Sequence, residues 1–252
     1  MIKKLLLLVV FIGSLVLSAA AQHQSNWLSI SVGASVPYND FSDKTLTDTI
    51  RGGFANTGFA FNLAYTHQMV RSFGITAMFM GNANSTNISA MEKEMQRYIK
   101  GESEIGDFTQ SGTLGKWNTG MLLVGPNINF GERYFFVEIR GLLGVGMGIS
   151  PEYDYKITPA QGTLAGKTVN FKQQSDNAVA FAWNIGAGIK YRFSRFFARL
   201  NVDYSTANLK YKHVNIQFYN PTDEKQDYIN RESKMNIQTD VMQITGGVGY
   251  VF

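Results

Sequence analysis

The connections along this chain take strict turns: a few residues rich in Arg and aromatics, then a long polar excursion, then a few residues again. The short links are His67 to Ser72, Phe130 to Tyr134 and Arg192 to Phe196, and the long ones lie at about 37–53, 82–113, 149–177 and 206–238. A soluble sandwich has no reason to sort its connections by length. A barrel that crosses a membrane has one, because tight turns face the periplasm and long loops face outside.

Between the links sit eight segments with the period of a strand. Leu28, Ile30, Val32, Ala34 and Val36 oppose Ser29, Ser31, Gly33 and Ser35. Phe59, Phe61, Leu63 and Tyr65 form the second apolar row, and Phe73, Ile75, Ala77 and Phe79 a weaker third. The fourth segment runs from Trp117 to Phe130, with Leu122, Val124, Ile128 and Phe130 on one face and Met121 and Leu123 blurring the other. In the fifth, Phe135, Val137, Ile139, Leu143, Val145 and Met147 oppose Glu138, Arg140, Gly144, Gly146 and Gly148. Val179 to Tyr191 and Phe196 to Tyr204 supply the sixth and seventh rows, the latter set against Arg199, Asn201, Asp203 and Ser205. The last row runs from Met242 to Phe252.

Alternation alone does not say which face meets solvent. In a water-soluble barrel the polar row would be dense in Lys, Glu and Thr, but here it is mostly Gly, Ala, Ser and Asn with a few charges, which suits a narrow, packed interior. The apolar rows span five to seven residues on the clearest strands, in keeping with the ~9–11 residues that a tilted transmembrane strand needs. Tyr65, Phe73, Phe130, Tyr134, Tyr191, Phe193, Phe196, Tyr250 and Phe252 gather where strands meet the short turns, as an interfacial girdle requires. The predicted fold is all-β: an eight-stranded antiparallel up-and-down transmembrane barrel with short periplasmic turns and long extracellular loops.

The N-terminus agrees. Lys3 and Lys4 precede an apolar run from Leu5 to Leu17 and the small residues Ala19, Ala20 and Ala21, the pattern of a secretory signal peptide over 1–21, with the barrel domain over 22–252. Removing Lys3 and Lys4 leaves 21 basic against 19 acidic side chains, a net charge of +2 with His neutral. That balance carries no basic stripe and argues against a nucleic-acid partner. Cysteine is absent, which excludes disulfides, thiolate metal sites and a lipidated N-terminal Cys. No cofactor and no metal site is expected.

Eight strands enclose a lumen just wide enough to be filled by side chains. Glu138 and Arg140 on the fifth strand and Arg199 and Asp203 on the seventh point inward at comparable depth, with Asn62, Asn184, Lys190 and Asn201 in the same interior. Unpaired charges there are costly, so Glu138, Arg140, Lys190, Arg199 and Asp203 are expected to neutralise one another across the lumen. Glu152 to Ile157, Lys167 to Gln173, Leu209 to Phe218 and Asp227 to Gln238 are strand-like, so the last two hairpins are expected to continue above the bilayer as a protruding sheet whose edges can pair with a protein partner. In the second loop, Ser89 and Glu92 stand in capping-box relation before Met91, Met95, Tyr98 and Ile99. This spacing predicts a short helix that caps the mouth or touches lipopolysaccharide.

Catalysis has little to work with. A rim enzyme needs a Ser/His or Asp/His pair, and of three histidines His23 borders the cleavage site and His67 sits in a periplasmic turn. Only His213 remains, with Ser205 and Asp240 near the same rim, and a lone loop histidine is ordinarily a surface residue. Gly144, Gly146 and Gly148 are spaced as a strand with no following helix, so they make no nucleotide loop.

The signal ending Ala19-Ala20-Ala21-Gln22, the segment Leu122-Leu123-Val124-Gly125-Pro126, the Gly141 to Gly148 strand and the closing Tyr250-Val251-Phe252 together resemble the small bacterial outer-membrane barrels of the OmpA and OmpX type. They look closer still to the PorT-like outer-membrane β-barrel family of Bacteroidetes. The resemblance covers essentially the whole mature chain. It implies location in the outer membrane, lipid and lipopolysaccharide as surroundings, and recognition of Tyr250 and Phe252 by the assembly machinery. It also implies either a non-enzymatic envelope or surface-binding role, or an accessory part in a secretion or gliding apparatus. A peptidoglycan-binding domain after the barrel, and with it anchoring to the cell wall, is not expected.

Overall fold

In the computed structural model, residues 25–45, 52–102, 108–160, 169–219 and 228–252 are described; the signal peptide expected at 1–21 lies outside them, as do Lys167, Thr168 and Asp227 of the expected strand-like stretches. The strands are β1 (Ser25–Tyr38), β2 (Gly58–Val70), β3 (Phe73–Ser85), β4 (Phe108–Leu114), β5 (Lys116–Glu132), β6 (Phe135–Ile149), β7 (Tyr153–Pro159), β8 (Val169–Gln173), β9 (Asn177–Phe193), β10 (Phe196–Tyr219) and β11 (Tyr228–Val251). Two helices, α1 (Asn39–Ser42) and α2 (Ile88–Glu102), lie in the first two long connections.

Eight of the strands form an antiparallel ring in the order β11-β1-β2-β3-β5-β6-β9-β10, closed by β10 on β11. The terminal strands join from Trp27 opposite Val251 to Tyr38 opposite Asp240, so no edge is exposed to lipid. Three connections are tight. Arg71 and Ser72 link β2 to β3, Arg133 and Tyr134 link β5 to β6, and Ser194 and Arg195 link β9 to β10. Arg133 and Ser194 take positive φ values of 56° and 61° to turn so sharply. Gly131, at φ 136°, could not carry a Cβ without striking the Phe135 carbonyl.

The apolar rows face outward all round. Leu122, Val179 and Phe181 each leave about two thirds of their surface outside the protein wall, at 67, 65 and 64%, which is tolerable only in hydrocarbon. At the short-turn end, rings follow one another round the rim, with centroid distances of 6.5 Å for Tyr65 to Phe252, 6.2 Å for Phe252 to Tyr250, 5.3 Å for Tyr250 to Phe196 and 6.3 Å for Phe196 to Phe193.

Above the ring the wall continues on one side only. β10 and β11 pair on to Tyr219 opposite Tyr228, past a bulge between Tyr211 and Val214. The upper part of β10 also pairs with β8, β8 with β7 and β7 with β4. A sheet ordered β11-β10-β8-β7-β4 therefore stands on the extracellular side. Its last strand, β4, belongs to a connection that sequence periodicity alone reads as loop.

Helix α2 forms where the methionine spacing predicts it, but its cap differs from the expected Ser89–Glu92 box. The Asn87 side chain accepts from the Ala90 amide at 3.0 Å, because the helix begins at Ile88 and a cap must precede its first turn. Met91 packs with Phe54 and Tyr153, so the helix lies over the barrel mouth.

Candidate functional site

The lumen holds three tiers. At the periplasmic end Trp27, Phe197 and Val251 are buried together, with Phe136 against them. The Trp27 ring stands 5.1 Å from Phe197 and 5.6 Å, edge-on, from Phe136.

The charged tier lies directly above, built by three adjacent strands whose inward positions coincide in register: Arg140 of β6 is opposite Gly186 of β9, and Gly186 is opposite Asp203 of β10. The middle position must be glycine, because a Cβ there would run into the Asp203 carboxylate and come within 2.9 Å of Arg140 Nε. Across that gap Arg140 grips Asp203 in a fork: Nε donates to Oδ1 at 3.1 Å, and Nη2 donates to Oδ1 at 2.7 Å and Oδ2 at 2.6 Å. Its Nη1 donates to Glu138 Oε1 at 2.6 Å. The other Glu138 oxygen pairs with Lys190, and Arg199 Nη2 stands 3.7 Å from Glu138 Oε1. All five side chains are buried.

Three cations thus face two carboxylates. The excess is spread over dipoles and rings. Arg199 donates to Asn201 Oδ1 at 2.7 and 3.0 Å and to Ser29 Oγ at 2.6 Å. Lys190 donates to Asn129 Oδ1 at 3.3 Å and lies 4.5 Å from the Trp27 ring centroid, so the aromatic tier below also acts as a cation partner. Asn184 donates to the Tyr204 carbonyl at 3.1 Å. Asn62, placed in the same interior by its parity, makes no hydrogen bond to these charges.

The third tier departs from the expected interior of small residues. Met78, Met80, Met121, Leu123 and Leu142 fill the middle of the barrel, and Trp117, Phe41 and Tyr211 close the extracellular half. Met121 and Leu123, which blur the alternation of the fourth strand, do so because they are core residues of a filled lumen and not lipid-facing ones. The first long connection folds down into this tier. Phe41 meets Trp117 at 5.6 Å edge-on, Trp117 Nε1 donates to the Gly53 carbonyl at 2.8 Å, and Phe54 is buried at positive φ. Trp27, Ser29 and Asn129 are interior partners that a search for charged residues passes over, although their parity along β1 and β5 places them there. Filled at every level, the lumen is expected to pass no steady large current in planar-bilayer recordings of the purified chain; a stable open level would contradict the packing.

The rim residues do not converge. Ser205 faces the lumen, whereas Asp240, flanked by the inward Thr239 and Val241, faces outward and receives Asn39 Nδ2 at 2.7 Å and Gln238 Nε2 at 3.1 Å. His213 sits in the β10 bulge, eight residues beyond Ser205. A strand rise of ~3.3 Å per residue puts its backbone roughly 26 Å away. His67 pairs with Asn26 near the periplasmic rim, at 2.8 Å. Tyr250 and Phe252 stand in the aromatic girdle, Tyr250 opposite Leu28 of β1 and Phe196 of β10.

The chain is similar to several solved outer-membrane barrels. The attachment invasion locus protein Ail of Yersinia pestis, determined with the heparin analogue sucrose octasulfate, is 17% identical over 92% of this chain and 100% of Ail, with a TM-score of 0.43. A major outer membrane protein of Thermus thermophilus is 12% identical over 90% of this chain and 99% of its own, at 0.39. The N-terminal barrel of Pseudomonas aeruginosa OprF is 13% identical over 91% and 100%, at 0.30. No curated protein sequence matches. The family described as outer membrane protein beta-barrel domain matches residues 9–252. Membrane-facing rows, closed ring and family match agree: the chain belongs to the outer membrane protein beta-barrel domain family and resides in the bacterial outer membrane.

Proposed function

We propose that this barrel is non-enzymatic and acts as a rigid outer-membrane support for its extracellular sheet, which binds a partner or surface outside the cell. The observation that carries this reading is the free outer edge of β4. β7 occupies one side of the strand, no strand among the described residues pairs with the other, and Ser111, Gly112 and Thr113 are exposed. An unpaired edge in water is a template for strand addition. The filled lumen argues for a support over a pore, and the separation of His213 from Ser205 and Asp240 argues against a rim hydrolase. Lipopolysaccharide is the neighbour that the outward rim and α2 would meet first.

The test is cross-linking mass spectrometry on intact outer membranes, comparing the parent with a variant whose residues 153–173 are replaced by a short turn. Partner cross-links are expected on β4 and, counted on β4 alone, should fall at least about tenfold in the trimmed chain, which removes the seat of the edge strand. Equal cross-linking in both would sink the proposal. A second reading, a PorT-like accessory of a secretion or gliding apparatus, draws on the sequence resemblance and the same open edge. Co-purification from detergent separates the two: a reproducible multi-protein secretion complex favours the accessory role, and isolated monomers favour surface binding.

A further inference from the structure

We infer that the outer wall beside the β5–β6 and β9–β10 turns holds one anionic phospholipid of the periplasmic leaflet. The acyl chain would lie in a groove of about 320 Å³ in the lipid-facing surface, lined by Phe135, Ile189, Tyr191, Ala198, Leu200 and Gly246. The depression follows from the sequence of the outward row. Leu200 is opposite Gly246, and Ala198 is opposite Tyr191, so two positions that elsewhere carry large apolar side chains are nearly bare.

Directly below, three arginines belong to the adjoining turns, Arg133 and Arg195 within them and Arg192 at the end of β9 on its lumen side, opposite Phe197. Arg133 lies two residues before the groove residue Phe135, Arg192 follows Tyr191, and Arg195 lies three residues before Ala198. The two turns adjoin, since the Arg192 amide donates to the Tyr134 carbonyl at 2.6 Å. The carboxylate next to this stretch, Glu132 beside Arg133, is taken up by Arg71 of the β2–β3 turn at 2.8 Å. Among the described residues Arg133, Arg192 and Arg195 have no such carboxylate: Arg192 Nε reaches the Ser194 carbonyl at 2.9 Å, and Arg195 Nη1 the Tyr250 hydroxyl at 3.3 Å. Guanidinium groups left with spare donors at headgroup depth suit a phosphate, and three together favour a lipid whose net charge is negative over one whose own ammonium cancels it. Tyr134 and Tyr191, with ring centroids 6.4 Å apart, stand between groove and rim at the level of the glycerol.

Native mass spectrometry of the detergent-solubilised full chain tests this, with phosphatidylglycerol and phosphatidylethanolamine of identical acyl chains offered in equal amounts. The parent is expected to retain one phosphatidylglycerol with a preference of about tenfold, as a few rim cations would produce. Gln at Arg133, Arg192 and Arg195 together should abolish the preference. Ala198→Leu should reduce retention of both lipids by filling the groove. Folding of each variant is checked by its heat-dependent mobility, and Arg195→Gln alone, in a solvent-facing turn, should halve the preference even where the triple variant folds poorly. Equal retention of the two lipids by the parent, or an undiminished preference in the Gln variants, would overturn the inference. So would displacement by inorganic phosphate at matched concentration, which would make free phosphate the ligand. None of these results bears on the extracellular sheet.

Discussion

Replacing Arg140 with Met is expected to destabilise the barrel by about 3–5 kcal/mol, the usual cost of removing one partner from a buried ion pair. Arg140 supplies every cationic contact that Asp203 has in the charged tier and one of those made by Glu138. Without it, Asp203 stays buried between Gly186 and the lumen with no hydrogen-bonded cation and only the more distant Arg199 for charge, whereas Glu138 keeps Lys190 and Arg199. Urea unfolding of the chain refolded into phospholipid vesicles, followed by heat-dependent mobility, measures the loss. Combining Arg140→Met with Asp203→Leu should recover most of it, because the stranded charge goes with its partner. A single variant within about 1 kcal/mol of the parent would mean that the pair contributes nothing net, as many exposed ion pairs do.

Trp117→Ala should cost a similar amount, about 3–5 kcal/mol, by the precedent of large aromatic truncations in packed cores. The indole fills the space between Phe41 and Tyr211 and holds the first long connection through the Gly53 carbonyl. Its loss should therefore also loosen residues 39–45 and 52–56 of that connection, read as faster cleavage by an external protease on whole cells. Unchanged cleavage would show that Phe41 and Phe54 hold the segment without the indole. Current should remain blocked in this variant, since the charged tier and the Trp27 tier lie below and are untouched.

These two residues also show where sequence reasoning stops. Arg140 and Asp203 are each recognisable as inward by parity, and so is Lys190. That Arg140 forks onto Asp203 while Lys190 takes Glu138 depends on register between residues 63 and 52 positions apart, and no local pattern encodes register. Trp117 has the same parity as the core residues Met121 and Leu123. Periodicity registers such large inward side chains only as noise in the alternation, because a residue's size says nothing about whether hydrocarbon or a filled lumen surrounds it. The helix cap falls on Asn87 and not Ser89 for a related reason: several polar residues in a row can each serve, and the true start of the helix is set by where Phe54 and Tyr153 receive Met91.

The eight ring strands, the tight turns, the outward rows and the aromatic girdle are legible in the chain's own residues. Each of these is a contract between neighbouring residues and a bilayer of known thickness, and a period of two is enough to state it. The contents of the lumen, the pairing of its charges, the descent of Phe41 and Phe54 into the mouth and the recruitment of β4 to the extracellular sheet emerge only when the ring closes. Those are contacts between distant segments, selected by the stagger of the closed ring and by the volume left inside it, and neither quantity is written in any one stretch of chain.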